Sequence, residues 1–510
     1  MLASWALAPI DVPSPPNVAD AERWRHTRVR RGLLEGAWEN ELDRRLRAHV
    51  GHVRRVMWGP LDLSRNPFRL VCRELATLYT EPPAIRHDAD VSALLETITA
   101  TGLWSGMPRV QSLTIGLREY AIRVTVDGDG LRYRPVPPDL LVAASPMTAP
   151  DQPDRIAELR WFGPPASGGD KPVGWCWEVH DISNREAPNY GIFTADRDMV
   201  NVTASVLGGA PGSYPWCKAD GTPVLPYVLY HAERRTDRLW DAFEGSELVE
   251  GAFNIAILHS FWMHLVKDVS WAQRYGINVR PAGLETVDGD GQAVRQEIVT
   301  DPSTLLVLEP IVEGSNTSVG SMEPGGDPES LLRAVQAYAM DVAVEAGVST
   351  GNIQRTEGPS SGYAISLNEA GKRQAQKRFA PHFRWADEQL VALSAIMLNR
   401  AASTNYPEDG YTVSYASIPM SPEEMRALRE HVLSLVASGM MSPIDAYREL
   451  HGSGMTREQA RAELLQIADE RDEFAVKSTT TATGTAPTMG EKPSTADEKP
   501  QPDTEDDPNA

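Results

Sequence analysis

The sequence of 510 residues lacks the short motifs that mark most nucleotide-dependent and hydrolytic enzymes. It contains no GxxxxGK[ST] loop, which argues against an ATP-driven motor. The HExxH zinc helix and the glycine pattern of dinucleotide-binding folds are missing as well. The pattern GxSxG occurs twice, at 347–351 and 358–362, but in a loop that follows a predicted helix, whereas a nucleophile elbow follows a strand. The sequence therefore nominates no catalytic residue and no cofactor, and we expect a protein that is not an enzyme.

Metal-ligand patterns are also scarce. Two Asp-Gly-Asp-Gly runs, 127–130 and 288–291, lack the later glutamate of a calcium loop and are typical of turns. His259 and His264 are five residues apart, so they do not share one helical face as a metal-binding pair would. We predict no metal site and expect both histidines to be satisfied in a core or an interface.

Cysteine and long hydrophobic runs are rare. The three cysteines, Cys72, Cys176 and Cys217, form no CxxC pair, which excludes a disulfide framework and favours a reducing compartment. No signal peptide is expected, because the first residues lack a basic start and soon reach prolines. The most apolar segment, 251–266, is shorter than the roughly 20 residues that a bilayer span needs. We expect it to be a helix that is buried or faces another subunit.

Positive charge is in short supply and unevenly distributed. The chain has 70 acidic and 49 basic residues, a formal net charge of −21, and no lysine before Lys171. Tight binding to duplex DNA needs a basic surface, so this balance argues against it and leaves looser contact open. Residues 23–73 are rich in arginine, which suits pairing with carboxylates of a neighbouring subunit or with phosphate. A solvated helix face is the other interpretation. The arginines concerned are Arg28, Arg30, Arg31, Arg44, Arg45, Arg47, Arg54 and Arg55.

The pattern of apolar residues predicts a mixed α+β chain. Helices are expected at 32–56, from Pro67 with Leu70, Val71, Leu75 and Leu78 on one face, and at 91–102. From Val110 the period changes to that of strands, and the turn at 127–130 predicts a hairpin. Further strands are expected at 155–162, 174–182, 190–194 and 224–233.

The second half of the chain centres on a helix, a loop and a longer helix. A long helix at 239–275, apolar nearly all round, is followed by short strands and turns to residue 326. Asp327 and Pro328 then start a helix that Gly347 ends. A loop rich in glycine and serine follows, and Ser366 with Glu369 forms a capping box that opens the longer helix.

Three short helices and a tail complete the chain. Near-ideal helix starts at Ser421, Ser442 and Thr456 predict helices at 421–439, 442–452 and 456–475. Residues 477–510 are threonine, proline, aspartate and glutamate with almost no apolar side chains, which predicts a disordered acidic tail.

In this order the elements resemble the portal proteins of tailed, siphovirus-like bacteriophages. The resemblance covers roughly residues 30–398 and includes SRNPFRLVCRELATLYTEPP at 64–83, RPVPPDLLV and LPYVLYHA. It implies a ring-forming portal fold divided as follows: 1–238, N-terminal helices and β-rich wing; 239–275, first stem helix; 276–326, clip; 327–346, second stem helix; 347–366, tunnel loop; 367–415, long wing helix, kinked at Pro381, and return; 416–476, helical crown; 477–510, disordered acidic tail.

The resemblance also implies a function. Portal proteins form a ring of about twelve subunits at one capsid vertex. Double-stranded DNA passes through the ring during packaging and ejection. The implied partners are the terminase large subunit, the head-tail adaptor protein, the major capsid protein and a scaffold protein, with no membrane. The implied location is the virion, and the host cytoplasm during assembly. The alternatives are another head-tail connector or capsid structural protein, or a cytoplasmic α+β hydrolase.

Candidate DNA contacts follow from the same resemblance. The tunnel loop would contribute one cation and several neutral hydrogen-bonding side chains to the channel: Gln354, Arg355, Thr356, Ser360, Ser361 and Tyr363. A basic cluster just inside the next helix would contact DNA or form intersubunit ion pairs: Lys372, Arg373, Lys377 and Arg378.

Overall fold

The computed structural model describes residues 18–50, 61–128, 130–162, 174–207, 214–241, 243–270, 273–281, 308–310, 316–322, 326–348, 362–418, 422–451 and 456–468. The chain divides into two compact units, Met1–Met420 and Ser421–Ala510. The prediction of a mixed α+β fold is confirmed. The candidate loop residues 354–361 and the acidic tail at 477–510 lie outside the described residues.

The described residues of the N-terminal part of the first unit include these helices: α1 Val18–Glu35, α2 Glu39–Val50, α3 Pro67–Glu74, α4 Ser92–Ala100 and α5 Leu103–Leu117. The prediction of one helix from Gly32 is wrong, because Gly36 has a φ of 89° and separates α1 from α2. The start at Pro67 is confirmed, and the Asn66 side chain caps α3 by accepting the Arg69 N–H. Leu70, expected in the core, is 37% exposed.

Two antiparallel sheets follow. The first has the order β3-β2-β8, from β2 Glu119–Asp127, β3 Gly130–Val136 and β8 Tyr227–His231. The predicted hairpin at 127–130 is confirmed, but residues 112–117, expected to be a strand, close α5. The second sheet has the order β4-β5-β6-β7, from β4 Leu141–Ala144, β5 Arg155–Phe162, β6 Gly174–Asp181 and β7 Asn189–Thr194. A 3-10 helix at Pro138–Leu140 leads into β4, and the short α6 Thr203–Leu207 follows β7.

A helical hairpin comes next: α7 Ser246–Ser270 and α8 Pro328–Glu345. Between them lie β9 Gln273–Ile277 paired with β12 Ser318–Met322, and β10 Val279–Pro281 paired with β11 Leu308–Pro310. The first helix is shorter than the predicted 239–275. Leu239 packs instead in the core beneath the four-stranded sheet. The predicted start of α8 is confirmed, since the Asp327 carboxylate accepts the Glu329 and Ser330 N–H groups.

The longest helix, α9 Gly362–Ala402, crosses the main core. It begins four residues before the predicted capping box at Ser366, and it continues as a helix through Pro381, where an interruption was expected. Buried Phe379, Phe383 and Leu390 join it to the N-terminal helices and the three-stranded sheet. After it, β13 Thr412–Ser414 returns to pair with β1 Ala84–Arg86.

The second unit is helical, with α10 Pro422–Ala437, α11 Pro443–His451 and α12 at 457–468. Two predicted helix starts are confirmed in detail. The Asp445 N–H donates to the Ser442 hydroxyl, and Thr456 and Gln459 exchange the two bonds of a capping box. No helix among the described residues is long and apolar enough to cross a membrane. All three cysteines are free thiols, as expected.

Candidate functional site

The hairpin of α7 and α8 is packed tightly along its length. A Cβ on Gly251 would lie 2.7 Å from Val342 Cγ1, so only glycine allows this approach of the two helices. At the other end of α7, Gly326 lies against Leu265, which fixes the helices as antiparallel. The hairpin therefore has a proximal end near Gly251 and a distal end near Leu265.

The proximal half of α7 belongs to the main core of the first unit. Val249, Ala252, Phe253 and Ala256 are buried among the N-terminal helices and α9. Ile255 packs on the other side against Val335 and Val342 of α8. The proximal half of α7 is apolar on two sides because it packs against the main core on one side and against α8 on the other.

The distal half of α7 carries an apolar stripe that the described residues leave partly uncovered. We define the apolar stripe as Trp262, Met263, Val266 and Val269. Trp262, Val266 and Val269 recur at four and three residues on one face, and Met263 lies beside them, three residues before Val266. Met263 is 49% exposed and Val269 is 43% exposed, while Trp262 and Val266 are half-buried. Apolar side chains grouped in this way mark a contact surface, whereas single exposed ones do not.

A cavity of about 290 Å³ lies where α2, α7 and α8 meet. Its lining is largely apolar: His49, Asn254, Ile257, Leu258, Phe261 and Tyr338. Asn254 donates to the Tyr338 hydroxyl at 3.3 Å. Among these lining residues there is one imidazole and no carboxylate or thiol, so the cavity lacks the paired groups of general acid-base chemistry.

The basic cluster at the start of α9 is partly neutralised within the chain. Lys372 Nζ lies 3.7 Å from Glu74 Oε2, and Arg378 pairs with Glu233. From the sequence, the expected partner of this cluster was DNA or a neighbouring subunit. Neither interpretation anticipated carboxylate partners within the same chain. Lys377 is exposed to solvent. Tyr363 lies in the first turn of α9, outside the loop to which it was assigned.

The N-terminal arginines divide into buried ones with partners elsewhere in the fold and exposed ones that pair along their own helix. Arg31 Nη1 donates to Asp139 at 2.8 Å, and Arg30 donates to the Gly116 carbonyl at 3.1 Å. Arg44 and Arg45 both donate to Glu41, on their own helix. The interpretation as a solvated face is therefore wrong for Arg30 and Arg31, and a role between subunits stays a prediction for this region. Arg54 and Arg55 lie outside the described residues.

A buried ion network joins the two sheets and was not foreseen from the sequence. Arg123 of β2 donates to Glu178 of β6 through both terminal nitrogens at 2.5 Å, and to Glu158 of β5 at 3.2 Å. Arg134 and Arg160 pair with the same two carboxylates from the edge. Burial acts to raise the pKa of Glu178, but the hydrogen bonds from Arg123 and His180 and the charges of Arg123 and Arg160 together outweigh it and lower that pKa strongly. The two sheets are thus held together by charge as well as by apolar packing.

A second buried carboxylate, Asp387 of α9, has hydroxyl partners only. Tyr230 of β8 and Tyr415 each donate to it at 2.7 Å, and Tyr79 donates at 2.8 Å. Burial raises the pKa of Asp387 to about 6, although the three hydroxyls act to lower it. Because the carboxylate is fully enclosed and its acceptor sites are occupied, we interpret it as a packing element of the core.

Acid should strengthen the part of the fold that contains Asp387. Its folded-state pKa lies above the unfolded value of 3.8, so its contribution to stability is fully present below pH 3.8 and is lost as the pH rises through about 6. We expect the wild type to lose up to about 3 kcal/mol between pH 4 and pH 7.5 relative to Asp387→Asn. Urea unfolding of both proteins across this range measures the difference, and a difference independent of pH would contradict the expectation.

Described residues contain no group of three or more histidine, cysteine, aspartate or glutamate side chains arranged to hold a metal ion. No protein-family model and no curated protein matches the sequence. Among solved structures, the chain is similar to one from the neck of an empty GTA particle computed with C6 symmetry. That match has 12% identity and a TM-score of 0.36, and covers 88% of this chain and 97% of the other. Likeness at this level does not establish what the chain does.

Proposed function

We propose that this chain is the portal protein of a tailed, siphovirus-like bacteriophage, and that copies of it form a ring through which DNA passes. The observation that carries the proposal is the apolar stripe on the distal half of α7. Its four side chains lie beyond the core on the packed hairpin, where a second copy of the same hairpin would cover them. A subunit of a closed ring needs such a surface on each copy.

The order of elements supports the same proposal. In this assignment α7 and α8 are the stem helices, the paired strands β9 to β12 at the distal end of the hairpin form the clip, and α9 is the long wing helix. The two antiparallel sheets form the wing. The separate helical unit after residue 420 is the crown.

The charge of the chain suits a conduit that DNA slides through. Twelve copies would carry about −250 charges before screening, which disfavours a firm grip on phosphate. Contacts in the channel would come from the loop residues Gln354, Arg355, Thr356, Ser360 and Ser361. Within the basic cluster, exposed Lys377 is a better candidate for a DNA contact than Lys372 or Arg378, which have carboxylate partners.

The proposed partners are those of a capsid vertex. They are further copies of the chain, the terminase large subunit during packaging, the head-tail adaptor afterwards, and the major capsid and scaffold proteins around the ring. The proposed location is the virion, reached from the host cytoplasm.

Negative-stain microscopy of the purified protein tests the proposal. We expect rings of about twelve subunits with a central channel wide enough for duplex DNA. The sample should be imaged over a range of salt and protein concentrations, since a chain with a net charge of −21 repels its own copies at low ionic strength. Monomers or dimers under every condition would refute the proposal.

A further inference from the structure

The segment that connects β8 to the hairpin forms several hydrogen bonds and ion pairs with the rest of the unit, although it has no regular secondary structure. We call residues 232–241 the root segment, because it leads to the start of α7 at Ser246. Its first residue donates an N–H to the Arg118 carbonyl at 2.8 Å, and the N–H of Asp241 at its end donates to the Glu119 carboxylate. Both ends of the segment are thus held by the beginning of β2.

One face of α9 contacts the first part of the root segment, at Glu233 and Arg234. Arg378, His382 and Trp385 are spaced by four and three residues, so they share a face of the helix. Arg378 pairs with Glu233, and His382 Nδ1 accepts the Arg234 N–H at 3.3 Å. The Arg234 guanidinium lies 3.6 Å from the centre of the Trp385 ring. Three side chains along two turns of α9 therefore contact two adjacent residues of the root segment.

The same two residues are tied to the body of the unit. Arg118 reaches Glu233 at 3.4 Å and Asp241 at 3.1 Å, so Glu233 lies between two guanidinium groups. Arg234 donates to Asp151, in the connection between β4 and β5, at 2.9 Å. Arg118 holds this position with a φ of 75°, a conformation that costs free energy for any residue with a side chain. The surrounding contacts offset that strain.

We propose that the root segment couples α9 to the hairpin, so that a displacement of the long helix is passed to the start of α7. Arg378 is then a positioning residue that holds Glu233 in place. The coupling concerns contacts within one chain, so it does not depend on the proposed portal function. It assigns to Arg378 a partner and a role different from contact with DNA.

Hydrogen exchange of the full-length protein, followed by mass spectrometry, tests the coupling. In Arg378→Gln we expect amides at 246–252, at the start of α7, to exchange roughly three- to tenfold faster than in the wild type. Arg426→Gln is the matched control, since Arg426 forms an exposed pair with Glu430 in the second unit. It should leave 246–252 unchanged. Faster exchange confined to the turns of α9 around residue 378 would overturn the proposal.

A double variant tests whether Arg378 affects the start of α7 through Glu233 or independently of it. Glu233→Gln removes the partner of both Arg378 and Arg118, so it should speed exchange at 246–252 at least as much as Arg378→Gln. If Arg378 acts through Glu233, the double variant should match Glu233→Gln alone. Additive effects of the two substitutions on 246–252 would show that Arg378 acts otherwise and would overturn its positioning role.

Discussion

Replacement of Arg123 by methionine should lower the free energy of unfolding by roughly 3–5 kcal/mol. The substitution keeps much of the side-chain volume but leaves Glu158 and Glu178 buried between the sheets. Arg134 and Arg160 would remain, yet each approaches from the edge and is about one-third exposed. Buried carboxylates without a buried cation must either stay charged in an apolar setting or take up protons, and both cost stability. Urea unfolding at pH 7.5 measures the loss.

Arg132→Met provides the matched control for this prediction. Arg132 is on the neighbouring strand β3 and pairs with Asp127 at 3.0 Å, with both side chains 69% exposed. Exposed pairs contribute little, so we expect a change within about 0.5 kcal/mol. Equal, small effects of the two substitutions would show that the network between the sheets is not important for stability.

Replacement of Met263 by aspartate should prevent or greatly weaken ring assembly while leaving the fold intact. Burial of a methionine side chain contributes about 1.5–3 kcal/mol, and a carboxylate in its place would oppose the contact further. We therefore expect the concentration for half-assembly to rise at least about 10–100-fold. Sedimentation velocity over a concentration series measures the assembled fraction, and urea unfolding of the dissociated protein checks the fold.

Met147→Asp makes the same chemical change at a different exposed position. Met147 lies in the loop after β4 and is 98% exposed. It should assemble as the wild type does. If Met263→Asp also assembles normally, the apolar stripe does not form the contact between copies.

The sequence predicted helix starts well where the residues that form the capping hydrogen bonds lie close together along the chain. Asp327 with Pro328, Asn66 with Pro67, and Thr456 with Gln459 each specify a helix start through bonds made within four residues. Predictions failed where a single glycine or distant packing decided the outcome. Gly36 divides one apolar period into two helices, and the 112–117 segment completes α5 because Val110 and Ile115 are buried against other helices.

The sequence predicted the apolar surface of α7 but not the partners of the arginines. The apolar residues of the predicted helix at 239–275 indicated neighbours on several sides, and the apolar stripe lies within that range. The partners of the arginines were not predictable, because Asp139, Glu178 and Glu233 lie between 18 and 145 residues away along the chain. One signal was available. Arg123 occupies an inward position in a strand that is otherwise buried, where an unpaired cation would be too costly.

The three tyrosines around Asp387 allow unfolding of the surrounding core to be followed by ultraviolet absorbance. Burial and the neighbouring carboxylate raise the pKa of Tyr79, Tyr230 and Tyr415 far above that of an exposed phenol. In an alkaline titration these three phenols should keep the near-ultraviolet absorbance of the neutral form at a pH at which exposed tyrosines have become phenolates. Burial raises the pKa of other tyrosines as well, among them Tyr120, Tyr133 and Tyr227, so a late absorbance step would record the opening of the buried core that these phenols share.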